Sequence, residues 1–137
     1  MTMTYSELGP LTIFDVLDPG QPNLERVAIY VTEECDLGNY CLGLAHRNFD
    51  GTSTPVRDQV FWFGSGYVQA EDWIFVYTAA GTLHIEKNPS GNSHFHVHWG
   101  KDHTIFQNRA LVPMLIEINA TAIPPLPQPV PQTPYLK

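Results

Sequence analysis

Val60-Phe61-Trp62-Phe63, Gly64-Ser65-Gly66, Trp73-Ile74-Phe75-Val76-Tyr77-Thr78, Ala79-Ala80-Gly81, His94-Phe95-His96-Val97-His98-Trp99-Gly100 and Ile105-Phe106-Gln107-Asn108 follow one another in this chain, and their reading decides its fold. Four strand-like runs, aromatic and β-branched, are separated by glycine, asparagine and proline. That punctuation predicts an antiparallel β-sandwich. A sandwich is a scaffold, so function has to be argued from a site.

Upstream, Leu11 to Val16 alternates, with Leu11, Ile13 and Asp15 on one side and Thr12, Phe14 and Val16 on the other. Arg26 to Thr32 is a period-two strand that points Val27, Ile29 and Val31 inward. Glu33 to Asp36 reads as a polar turn, Leu37 to Leu44 as a return to the core, and Asn48 to Pro55 as a loop. A hairpin through Lys87-Asn88-Pro89-Ser90-Gly91-Asn92 links Thr82–Glu86 to Ser93–Trp99. Met114 to Ile118 closes the fold, with Pro113 at its start where a missing amide is tolerated. No segment has a convincing 3.6-residue period. The chain is expected to be all-β.

Its 137 residues suit one domain with a sizeable core, filled from three Trp, six Tyr and seven Phe. Residues 10–121 form the expected sandwich and 122–137 an arm. In the arm, Pro124, Pro125, Pro127, Pro129, Pro131 and Pro134 favour polyproline II and cannot enter a sheet interior. Seven Lys/Arg against 14 Asp/Glu leave a charge of -7, which argues against nucleic-acid binding through phosphate contacts. The N-terminus has neither a basic patch nor an apolar core, so no signal peptide and a cytoplasmic location are expected. No run approaches the ~18 apolar residues of a membrane span. Cys35 and Cys41 are expected to be thiols.

Several stretches resemble the lamin-tail domain family. Leu37-Gly38-Asn39-Tyr40-Cys41-Leu42 is similar to its Leu-Gly-Asn-Trp-x-Leu signature, with Tyr40 at the tryptophan. Phe61-Trp62-Phe63 to Gly81 resembles the family's following strands. Trp99-Gly100 with Ile105-Phe106-Gln107-Asn108 resembles its last tryptophan strand and Trp-x-x-Asn turn, with Phe106 at the second tryptophan. Arg109 to Pro113 replaces the usual Gly-Asp. The resemblance implies an immunoglobulin-like sandwich with no catalytic residues and no cofactor. It further implies a scaffolding or adaptor role toward a protein partner or a second copy of the chain. On the family pattern, Trp73, Phe75, Trp99 and Phe106 fill the core, and Tyr40 buries its ring with the hydroxyl on a backbone acceptor.

One row of residues supports a rival reading. His94, His96 and His98 share a strand face, about 7 Å apart, as in the His-x-His of cupin metalloenzymes. His84, His103 and Asp102 are the only further ligand candidates nearby, and no glutamate follows at cupin spacing. Glu33, Glu34 and Asp36 lack the spacing of a calcium loop. Ser65 lacks the Gly-x-Ser-x-Gly frame of a nucleophile elbow. Glu71 and Asp72 are adjacent and point apart. Outward-facing aromatics such as Tyr30 and Trp62 remain as a possible binding patch or as cover for the core edge. The expected function is a non-enzymatic interaction module with the arm, Pro124 to Pro131, as its protein-binding element. The alternative is a cupin-like, metal-dependent enzyme.

Overall fold

In a computed structural model, Thr2, Met3 and residues 6–127 are described. The strands are β1 (Thr2–Met3), β2 (Glu7–Leu8), β3 (Leu11–Leu17), β4 (Arg26–Val31), β5 (Cys35–Asp36), β6 (Tyr40–Arg47), β7 (Thr52–Trp62), β8 (Tyr67–Val68), β9 (Trp73–Ala79), β10 (His84–Lys87), β11 (Ser93–Lys101) and β12 (Leu111–Glu117). One 3-10 turn, Leu37–Asn39, leads into β6. A four-stranded sheet has the order β1-β7-β6-β12 and a six-stranded sheet the order β10-β11-β9-β4-β3-β2; β5 and β8 form a small separate ladder.

The core lies between the two large sheets. Leu11, Val27, Ile29, Val31, Ile74 and Val76 from one meet Tyr40, Leu42 and Leu44 from the other, with Val68, Ile105 and Phe106 closing the ends. Each fully buried Val, Leu or Ile contributes about 1.5–3 kcal/mol. The chain is an all-β sandwich, as the aromatic and β-branched runs predict.

Four expectations need correction. The sheets are not wholly antiparallel, because β11 inserts between β9 and β10 and runs parallel to β9. Ile105 to Asn108 is a turn rather than a strand. The loop expected at Asn48 to Pro55 shrinks to a turn, since β7 already begins at Thr52. In β9 the inward set is Ile74, Val76 and Thr78, so Trp73 and Phe75 stand half-buried on the outer face. Period-two alternation marks two faces without saying which is inner, and here the aliphatic set took the core.

The alternation held in β4 but not through β3. Val27, Ile29 and Val31 are fully buried, Phe106 is buried, and Trp99 packs half-buried against the core beside Phe61. In β3 the register shifts between Ile13 and Asp15, so Val16 joins Leu11 and Ile13 against the core and Phe14 is thrown outward. A bulge resets the phase of every residue after it.

Candidate functional site

The histidine row stands where the sequence put it, on the outer face of the six-stranded sheet. The parallel register pairs His94 with Trp73, His96 with Phe75 and His98 with Tyr77. The rings interleave rather than converge. His96 stacks on Phe75 at 5.3 Å, His98 on Tyr77 at 5.1 Å, and Trp73 on Phe75 at 5.9 Å, while His94 meets Phe75 edge-on. Arg26 lies over Phe75 and Tyr77 at 6.0 and 5.7 Å. The result is a continuous ladder from Tyr30 through Trp73, Phe75, His96 and Tyr77 to His98.

His96 and His98 each stack on an aromatic ring of β9 rather than on each other. Both nitrogens of His96 are also engaged. Nε2 lies 2.6 Å from Glu86 Oε1 and donates to it, and Nδ1 accepts from the Tyr77 hydroxyl at 3.2 Å. The His96 hydrogen bond holds the Glu86 carboxyl below the usual range. His98 Nδ1 is buried without a partner, against Gly81, which has no side chain where the ring sits. His84 reaches only the neighbourhood of His96, at 5.7 Å between ring centroids. His103 is exposed and paired with Asp102 at 2.6 Å. Among the described residues no three His, Cys, Asp or Glu side chains form a group that could hold a metal.

Cys35 and Cys41 are free thiols. Burial pushes both upward, aided at Cys35 by the charges of Asp36 and Glu33, so neither is an activated nucleophile. Tyr40 is buried as expected, and its hydroxyl lies against the Gly9 turn. No backbone acceptor for that hydroxyl is found among the described residues.

Sequence reasoning missed two buried carboxylates. Glu25, 1% exposed, accepts from Gly20 N (2.8 Å) and Phe106 N (3.0 Å) on Oε1, and from Thr78 Oγ1 (2.6 Å) and Ile105 N (2.9 Å) on Oε2. Burial drives its pKa upward, but these four bonds together outweigh that and hold it below its ordinary value. Asp72 accepts from Gln69 N and Ser93 N, both at 2.8 Å, and so fixes the starts of β9 and β11 side by side. All of these bonds come from the chain itself, five from backbone N–H groups and one from the Thr78 hydroxyl. These are fasteners, and a single Glu ahead of a strand carries no sequence signal that separates it from an exposed one.

The outer face of the four-stranded sheet is different. Leu42 and Leu44 point into the core; Cys41, Gly43 and Ala45 alternate with them and are buried as well. At Gly43 the place of a side chain is filled by Ile116 Cδ1 and Met114 Cε, which lie 3.2 and 3.3 Å from where a Cβ would stand. Across β6, Val60 pairs with Gly43 and Trp62 with Cys41, and both are exposed, at 58% and 62%. Trp62 is held in place by a 3.1 Å bond from Nε1 to the Gly38 carbonyl. The next carbonyl, Asn39, receives the amide of Ile118, four residues ahead of the arm.

Beyond that anchor, residues 119–127 are exposed, with Ile123 at 87% and Leu126 at 74%. Pro124, Pro125 and Pro127 lie in this bare stretch; Pro129 and Pro131 lie outside the described residues. No described helix is long and apolar enough to cross a membrane. Comparison with protein-family models, curated proteins and solved structures returns no match.

Proposed function

We propose that this chain is a non-enzymatic interaction module of lamin-tail type, which associates with a second copy of itself through its proline-rich arm. The sandwich serves as the rigid body and the arm as the docking element. The observation that carries this reading is the arm itself. It leaves β12 with Ile123 and Leu126 bare. Proline-rich chain is already extended and loses little entropy on docking, so it suits recognition at an aromatic surface. Within the stacked histidine row, both nitrogens of His96 are tied to Tyr77 and Glu86, which supports the same reading.

Light scattering tests the proposal on the full chain and on a chain ending at Ala122. The full chain is expected to associate, and the shortened one to remain a monomer with an unchanged circular dichroism spectrum. Equal masses for the two would remove the arm from the account.

A further inference from the structure

The proposed association needs a receiving surface, and the geometry points to one. We infer that the arm of one copy docks on the apolar strip of Trp62, Val60, Met114 and Ile116 on the four-stranded sheet of a second copy, in a reciprocal exchange. This inference rests on the self-association reading above and names its surface.

Three observations place the arm there. First, the strip is apolar, with Trp62 and Val60 exposed, Met114 and Ile116 half-buried where they pack over Gly43, and an indole held by Gly38 as a fixed wall. Fixed aromatic walls are what polyproline ligands pack against. Second, the arm cannot be serving its own strip, since Ile123 and Leu126 would then be covered, and they are bare. Third, the root of the arm and the strip hang from adjacent carbonyls of one 3-10 turn, Asn39 for Ile118 and Gly38 for Trp62. A two-fold axis that brings two such turns together puts each arm beside the other copy's Trp62. That is the self-complementary arrangement closed dimers require. At about 3 Å per residue, the stretch from Ile118 to Leu126 spans about 25 Å, enough to cross between copies.

Charge decides what the contact looks like. Two chains of -7 repel each other, yet residues 118–136 carry no charged side chain, so the docking element adds nothing to that repulsion. The contact is therefore apolar against a repulsive background, and screening the charges with salt tightens it.

The test is sedimentation equilibrium on the full-length protein, with Trp62→Ala, Val60→Asp and the arm double variant Ile123→Asp/Leu126→Asp. All four positions are exposed, so the fold tolerates each change. Each variant is expected to weaken dimerisation by about thirtyfold or more, the loss typical of a central interface residue. Mixing Trp62→Ala with the arm variant is expected to restore a heterodimer, because the intact arm of the first meets the intact strip of the second.

Full-length protein that stays monomeric overturns both this inference and the association on which it rests. Dimerisation lost in the arm variant but unchanged in Trp62→Ala and Val60→Asp overturns the strip alone. Mixtures that stay monomeric overturn the exchange between copies.

Discussion

Replacing Glu25 by Gln is the sharpest probe of how the sandwich is fastened. The carboxylate is buried and takes four hydrogen bonds, from the Gly20 turn, from Thr78 at the end of β9, and from Ile105 and Phe106 in the turn before β12. Glutamine in the same pose keeps one acceptor oxygen, which continues to serve Gly20 and Phe106. Its amide faces Thr78, whose hydroxyl turns round to accept, and the Ile105 N–H, which has no such option. One stranded buried donor costs about 1–3 kcal/mol. Two bonds that lose charge assistance give up about 1 kcal/mol each. The expected loss is about 3–5 kcal/mol, read as a lower urea midpoint at unchanged slope.

The pH dependence supplies an independent reading. The folded carboxyl sits below its ordinary value of 4.5, so its stabilisation is complete above that pH and fades as pH falls through the folded value. The gap between parent and variant should be constant near neutrality and should narrow on acidification below about pH 4.5. A variant within about 0.5 kcal/mol of the parent at pH 7 would refute the reasoning, since that is the scale of an ordinary surface substitution.

Trp99→Ala should cost about 3 kcal/mol in chemical denaturation, the low end for a large aromatic because the ring is only half-buried against Phe61 and the core. Gly81→Ala places a methyl against the His98 ring, so it should lower the melting temperature clearly, and far less in a His98→Ala background. Additive losses in that cycle would mean that the Gly81–His98 contact is not what matters. Protein purified without a histidine tag should carry no stoichiometric zinc, iron or manganese by elemental analysis. About one metal per chain, lost in His96→Ala, would favour the metal-dependent alternative.

Much of the fold was legible because it rests on alternation. Arg26–Val31, Trp73–Ala79 and Ser93–Lys101 are strands where β-branched and aromatic residues alternate, and the Lys87–Asn92 hairpin follows from its turn residues. The polarity of β9 was not legible. Trp73 and Phe75 are as apolar as Ile74 and Val76, and only the neighbouring sheet decides which set is covered. The parallel pairing of β9 with β11 depends on Asp72 holding Gln69 and Ser93, a contact between residues 21 apart that no local pattern encodes.

The candidate site divides in the same way. The shared face of His94, His96 and His98 follows from period two, but their stacking on Phe75 and Tyr77 needed the register of a neighbouring strand. The arm was readable from its prolines. The strip around Trp62 was not, because β7 and β12 supply it from either side of β6, where Gly43 leaves room for Ile116 and Met114.

The central claim is that the arm joins two copies of this chain, and sedimentation velocity on the full-length protein across a range of concentrations and salt tests it most directly. The account predicts a monomer–dimer equilibrium that tightens as salt screens the charge of -7 on each chain and disappears when Ile123 and Leu126 become Asp. A single monomeric species at every concentration and salt, or a dimer indifferent to those two substitutions, would contradict it.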